Sequence, residues 1–340
     1  MKAIVQDTYG SADVLRLDDV DRPAVGPDDV LIRVHAAGVD AGVWHLMAGR
    51  PFLMRAMGFG VRGPRARTRG LEVAGVVEAV GAQVTALRPG DRVFGTCDGS
   101  FAEYAVARPG SLAVLPATIA FEQAAAVPVS GVTALQALRD AGRVEAGQKV
   151  LVIGAGGGVG SFAVQLATAF GAQVTGVCST AKVDLVRSLG ADDVIDYTSD
   201  DLAAVGRRYD LVVDTAGNRS LSLLRTVLAP HGTLVLVGGE NGGRWLGGIQ
   251  RSLGAVLLSP FVGHTLRGLF STVRPDDLSQ LAGLIEDGQV TPVVGATYPL
   301  HRAADAVRHQ HQGHAVGKVV LTVAGDAGSA DAGAAGRAID

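Results

Sequence analysis

The stretch GAGGGVG, residues 154–160, decides the fold. It packs five glycines into seven positions, directly after the apolar run Val150–Ile153 and directly before SFAVQLATAFG. A flexible linker does not sit between a strand and a helix whose stop signal is Gly171. A nucleotide-binding strand–turn–helix does. Glycines there permit a tight turn, let the backbone approach a pyrophosphate and allow close helix–strand packing, while the helix N-terminus faces the negative charge. With the last glycine aligned on Gly160, Gly157 takes the middle position and Ala155 the first, so the three-glycine spacing is incomplete. The reading rests on the flanking strand and helix and on the second strand, AQVTGVC. Gly157, Gly158, Val159 and Gly160 are the residues expected against the pyrophosphate.

Outward from this turn the chain has two rhythms. Residues 1 to about 120 alternate short apolar runs with Gly, Pro and Asp: VLIRVHAAGVD, LEVAGVVEAVG, DRVFGTC, FAEYAVA, the pattern of a β-rich domain. Residues 121–262 read strand, helix, strand through KVLVIG, AQVTGVC, VIDY, YDLVVDTAG and GTLVLVGG, the pattern of a doubly wound parallel sheet. Residues 263–324 hold an amphipathic helix, with Leu278, Leu281, Leu284 and Ile285 on one face, and the strand-like GKVVLTV, and are expected to complete the first domain. The tail 325–340 has one apolar residue larger than Ala and is expected to be disordered. The fold class is α/β.

The second strand ends at Cys178, where an acidic residue would grip the ribose hydroxyl of NAD. Ser179, Thr180 and Lys182 follow instead, two hydroxyls and a cation suited to a 2′-phosphate, with no carboxylate beside them in sequence to repel it. The expected cofactor is NADPH; an ordinary helix cap would also place Ser and Thr there. At the carboxyl ends of later strands, where open α/β sheets bind ligands, stand Thr215, Ala216, Gly217 and Asn218, then Val237, Gly238 and Gly239.

Composition narrows the partners. The chain has 340 residues, 48% of them hydrophobic, and a formal net charge of −3. No long block of one sign occurs, so neither nucleic acid nor a membrane surface is expected, and a small molecule is. The two cysteines, Cys97 and Cys178, give no disulfide framework, no run of 18 apolar residues occurs, and the N-terminus has no signal-peptide core; the expected compartment is the cytoplasm. His309, His311 and His314 cluster in RHQHQGH but read as an exposed helix end, and no metal is expected there.

AAGVDAGVWHLMAGRP (36–51), RGLEVAGVVEAVG (69–81), RPGDRVFG (88–95), GSFAEYA (99–105), AAAVPVSGVTALQAL (124–138) and the glycine turn resemble, in order, the medium-chain dehydrogenase/reductases, and the resemblance covers about residues 1–323. It implies a GroES-like catalytic domain beside a Rossmann domain, with the site between them, and within the family it is similar to the zinc-free quinone oxidoreductase and enoyl reductase branch. Zinc-binding members resemble Gly-His-Glu where this chain has Gly70-Leu71-Glu72, and leucine cannot ligate a metal. Asp40 stands where they place a Cys, and Val129 and Ser130 stand in place of a further ligand. The four-cysteine structural site is excluded by the cysteine count.

The same resemblance implies the catalytic candidates: Asp40, in place of a common Asn, Trp44 as a pocket wall, His45 as donor or proton relay, and Thr133 on the nicotinamide side. It also implies Tyr197 near the adenosine phosphate, Phe261 and Val262 at the carboxamide, Lys318 ahead of the last strand, and a homodimer through an edge strand at GAVLLSP. Residues 50–69 carry six arginines and no acid, read as a solvated loop or as contacts for an anionic substrate such as a CoA or carrier-protein thioester. Without a Lewis acid the easiest hydride acceptor is a conjugated one, so the expected activity is NADPH-dependent, zinc-independent reduction of a quinone or α,β-unsaturated carbonyl. The alternatives are an alcohol or aldehyde dehydrogenase of the same superfamily and an inactive NADPH-binding sensor or scaffold.

Overall fold

The computed structural model describes residues 1–204, 206–238, 243 and 245–323. Two large sheets and a separate antiparallel β1–β2 pair organise it, and each follows from its sequence pattern. The first half gives β1 (Lys2–Val5), β2 (Arg16–Asp19), β3 (Val30–Val39), β4 (Glu72–Val80), β5 (Arg92–Thr96), β6 (Tyr104–Ala107) and β7 (Leu112–Val114), with helix α1 (Ala41–Ala48) after β3. The chain then enters α2 (Pro128–Gln136) and the parallel strands β8 (Lys149–Ile153), β9 (Gln173–Cys178), β10 (Asp193–Asp196), β11 (Tyr209–Asp214), β12 (Leu228–Leu236) and β13 (Thr265–Gly268). Helix α3 (Gly158–Ala169) links β8 to β9, and α4 (Ile249–Leu258) precedes β13. Last come α5 (Pro275–Glu286), β14 (Val294–Pro299), α6 (Ala303–His311) and β15 (Lys318–Thr322).

The parallel sheet has the order β10-β9-β8-β11-β12-β13. Its first strand in sequence, β8, lies between β9 and β11, so the order reverses there and a ligand crevice opens at the carboxyl ends of β8 and β11. Val150, Leu151, Val152 and Ile153 are all buried, as both faces of a central parallel strand require. The second sheet, β14-β15-β3-β4-β5-β7 with β6 also on β3, is antiparallel except for the β14–β15 pair. Residues 294–322 therefore return to the sheet begun by the first hundred residues. One apolar cluster spans the junction, joining Phe94 and Ala74 to Leu135, Phe162 and Val152; α5 adds Leu278, Leu281 and Ile285 to it.

Two expectations need correction. GAVLLSP is no edge strand: residues 254–258 lie within α4, with Ala255 buried and Leu253, Val256 and Leu257 exposed. A short apolar run does not distinguish strand from helix, and here the helix prevails. The edge is β13, so the parallel sheet continues past residue 262. Phe261 and Val262 precede β13, whose Gly268 pairs with Leu236 at the carboxyl end of β12. They lie at the opposite end of the sheet from the crevice, and Phe261 is exposed. Leu269 and Phe270 are the residues that leave β13 at its carboxyl end. Ala324 and the tail 325–340 lie outside the described residues.

Candidate active site

The glycine turn is built from backbone constraints. Gly154 has φ +82°, and the N–H groups of Gly154 and Ala155 both donate to the Val177 carbonyl of β9 at 3.0 Å. Gly160 brings α3 against the turn: a Cβ there would stand 2.0 Å from the Gly154 carbonyl oxygen. Helix α3 starts at Gly158, so Gly158, Val159 and Gly160 present first-turn N–H groups that have no partner within the helix. With the helix dipole behind them, these groups form an anion site.

The neighbouring strand ends converge on this turn. Thr215 donates through its Oγ1 and its N–H to the Ile153 carbonyl, at 2.8 and 3.1 Å. Asp214, fully buried, accepts the Ala216 and Gly217 N–H groups on Oδ1 and Arg251 Nη2 on Oδ2 at 2.6 Å. Val237 and Gly238 donate to the Asp214 carbonyl. Thr215, Ala216, Gly217, Val237 and Gly238 thus share the crevice edge. Asn218 follows them on the exposed side, and Gly239 lies outside the described residues.

At the far end of the turn the structure changes the reading of the second strand. Ser179 sits where β9 ends and caps a short turn through its carbonyl, and Tyr197, half exposed, donates its N–H to the Cys178 carbonyl at 3.0 Å. Lys182 does not extend to this end. Its stem lies across Gly156, and its Nζ donates to the Ala315 carbonyl at 2.6 Å. Burial holds its ammonium below the ordinary lysine range. A carboxylate, absent from the local sequence, arrives from β10: Asp196 Oδ2 accepts Thr180 Oγ1 at 2.5 Å, and Thr198 fills Oδ1. Arg219, which the sequence did not mark, places its guanidinium 5.9 Å over the Tyr197 ring.

The two sheets meet at the turn. Gly317 N–H donates to the Gly156 carbonyl at 3.0 Å, which brings Lys318 into the cleft. Lys318 Nζ donates to Glu72 Oε2, and Glu72 Oε1 accepts the Val129 N–H at 2.8 Å. Gly38 makes room for this carboxylate, because a Cβ there would fall 2.2 Å from Glu72 Oε2. Burial pushes the Glu72 carboxyl up, while the Lys318 ammonium holds it back. Asp40 Oδ1 caps α1 by accepting the Val43 N–H at 3.1 Å, and among the described residues its Oδ2 is buried without a hydrogen-bond partner. Ser130 and Lys318 both face Gly158 from across the cleft, and Thr133 lies buried one turn further along α2. Asp40, Thr133 and Lys318 are therefore brought to the crevice, joined by Glu72 and Ser130, which the sequence reading named only as positions unable to complete a zinc site.

Trp44 and His45 diverge. His45 Nδ1 lies 3.0 Å from the Arg50 carbonyl, and because a carbonyl only accepts, Nδ1 is the donor in that contact. Trp44 stacks on His311 at 3.9 Å between centroids and lines a cavity of about 690 Å³ with Arg50, Arg55 and Arg308, apart from Asp40. A second cavity, about 540 Å³, lies between α1 and Leu71. Among the described residues no three His, Cys, Asp or Glu side chains gather as metal ligands. His309 is engaged with the Tyr298 hydroxyl at 3.1 Å.

A parallel dinucleotide-type sheet, a largely antiparallel partner sheet and a cleft between them define the class as a medium-chain dehydrogenase/reductase. Residues 26–117 match the alcohol dehydrogenase GroES-like domain and residues 189–321 match the zinc-binding dehydrogenase family. The quinone oxidoreductase of Sus scrofa is 33% identical, the match covering 94% of this chain and 97% of that one. Among solved structures, the quinone oxidoreductase from Coxiella burnetii superposes with a TM-score of 0.85 at 28% identity, over 95% of this chain and 99% of that one. A mycobacterial protein solved with NADPH gives a TM-score of 0.79 at 28% identity, over 95% and 100% of the two chains. The chain belongs to the quinone oxidoreductase-like medium-chain dehydrogenase/reductases and is an oxidoreductase.

Proposed function

We propose that this enzyme is an NADPH-dependent, zinc-independent reductase of quinones or activated carbon–carbon double bonds. The observation that carries the reading is the buried cluster of Asp40, Glu72 and Lys318 set directly against the glycine turn. A catalytic zinc needs three protein ligands. The position that would supply a histidine holds Leu71, and the two carboxylates left, Asp40 and Glu72, are one ligand too few, Glu72 being already engaged by the Lys318 ammonium and the Val129 amide. The backbone cradle at Gly157–Gly160 fits a dinucleotide pyrophosphate, since Gly157 offers no side chain to obstruct it and α3 supplies the N–H groups. When bound, the dihydronicotinamide supplies hydride to a conjugated acceptor.

The chain's own groups then do the rest. Lys318 supplies positive charge beside the cleft, and the Gly317 bridge holds it against the turn. Asp40 Oδ2 offers an unfilled acceptor site to a ribose or substrate hydroxyl, and His45 is the proposed proton relay. For NADPH over NADH the support is Ser179, Tyr197 and Arg219 at the adenosine end, together with the relative solved with NADPH; Asp196 works against it. The substrate is a small molecule. A homodimer is supported by the β13 edge, which has no further strand paired to it among the described residues, and by the exposed Leu253, Val256, Leu257 and Phe270 around it. A cytoplasmic setting is supported by the two buried, free cysteines; among the described residues no helix is long and apolar enough to cross a membrane.

Deuterium transfer tests the reading. With NADPH deuterated at C4 of the nicotinamide and a simple enone, mass and NMR analysis should place deuterium on the β-carbon of a saturated ketone. Deuterium on the carbonyl carbon of an allylic alcohol would assign the chemistry to carbonyl reduction instead.

A further inference from the structure

Arg69 is the last residue of the arginine-bearing segment, and its backbone is fixed on both sides: its N–H donates to the Ile4 carbonyl at 3.1 Å, and its carbonyl accepts the Phe101 N–H at 2.8 Å. Its side chain turns inward and the residue is only 5% exposed. Among the described residues, Nε and Nη2 are buried with no hydrogen-bond partner. Asp98 lies nearby, but among the described residues it forms no ion pair with Arg69. Burying a guanidinium unpaired is strongly unfavourable, and arginine does not escape by losing its proton at neutral pH. Orphaned buried donors of this kind call for a ligand.

Arg69 lines the cavity of about 540 Å³, whose other walls include the charged Arg65 and Asp98 and the apolar Val43, Leu46, Phe59 and Leu71. That volume suits a small organic molecule. Leu71 ties the cavity to the reaction site: the Cβ position of Gly42 lies 3.6 Å from Leu71 Cδ1 and 2.8 Å from Asp40 Oδ1. A molecule with its apolar body in this cavity therefore has one end toward Asp40 and an anionic end within reach of the fork of Arg69.

We propose that Arg69 anchors an oxyanion, a carboxylate or a phosphate, carried on the apolar body of the acceptor, so that the preferred acceptors are conjugated carbonyl compounds bearing a negative charge. The guanidinium fork pairs with such groups through two parallel hydrogen bonds, a geometry that an ammonium does not reproduce. The proposal rests on the reductase reading for the conjugated carbonyl and on Arg69 alone for the charge.

The test compares three enones of similar body: benzalacetone, its para-carboxylate and its para-phosphate ester. Their binding to the full chain with NADP⁺ is measured by calorimetry, and their reduction is followed with NADPH. The wild type is expected to bind at least one of the anionic enones about 10- to 100-fold tighter than the neutral one, the range of a charge-assisted hydrogen-bond pair. Which one binds tighter tells carboxylate from phosphate. Arg69→Met should bring that ratio to about one, and Arg69→Lys should restore part of it. Because Arg69→Met removes an unpaired buried charge, its melting temperature should not fall, which separates a lost contact from a lost fold. Equal affinity for all three enones in the wild type, or a ratio unchanged in Arg69→Met, would overturn the site even if all three are reduced. Selective binding without reduction would support the site and overturn the reductase reading.

Discussion

Lys318→Met should destabilise the protein by about 3–5 kcal/mol at neutral pH, the cost of leaving a buried carboxylate without its partner. Glu72 is fully buried, and among the described residues its Oε2 has only Lys318 as a charged donor, while Oε1 is held by the Val129 amide. The loss should depend on pH with a definite sign. Burial raises the folded-state pKa of Glu72 above its ordinary value, so the native state keeps a proton that the unfolded chain has released, and stability falls as pH climbs through that window. Without the ammonium the window widens upward, so Lys318→Met should lose less stability at pH 5 than at pH 8. Adding Glu72→Gln, which keeps an acceptor for Val129 and removes the charge, should recover most of the loss. Urea unfolding of the three proteins at both pH values measures it. A loss independent of pH, or no recovery in the double variant, would show that Lys318 acts by packing alone.

Gly160→Ala should lower dinucleotide affinity by about 100-fold or more, about 2.7 kcal/mol. The new Cβ would stand 2.0 Å from the Gly154 oxygen, 2.7 Å from its carbonyl carbon and 2.8 Å from the Ala155 Cα. All three are backbone atoms, so α3 must move off the turn, carrying with it the N–H groups that face the pyrophosphate. Gly254→Ala is the contrast. It lies within α4 with nothing inside 4 Å of its Cβ position, and it should leave affinity unchanged while gaining helix propensity. Fluorescence titration with NADPH distinguishes the two. Unimpaired binding in Gly160→Ala would mean that the cofactor does not use this turn.

What the sequence made legible was local. The glycine turn, its strand and its helix could be read because their constraints fall within thirty residues and each glycine has a steric reason. The crossover of GKVVLTV back to the first sheet was legible only as an expectation. What stayed hidden depends on residues distant in sequence. Asp196 reaches Thr180 from the neighbouring strand, so a search confined to the end of β9 misses it. The Lys318–Glu72 pair joins residues 246 positions apart. Arg69 looked like one of six loop arginines until burial separated it from the others. GAVLLSP was misplaced because a short apolar run was read as a strand, and the carboxamide role that the resemblance implied for Phe261 fails because Phe261 precedes β13 and lies at the amino end of the sheet. In each case the missing information was orientation, which periodicity does not carry.

The most direct measurement is NADPH oxidation by protein freed of metal with a strong chelator, against a panel of quinones and enones. Turnover undiminished by chelation, on conjugated acceptors and not on saturated ketones, is the predicted result. Activity that disappears on chelation and returns with added zinc would contradict the account, because it would require a third ligand that Leu71 does not add to Asp40 and the engaged Glu72.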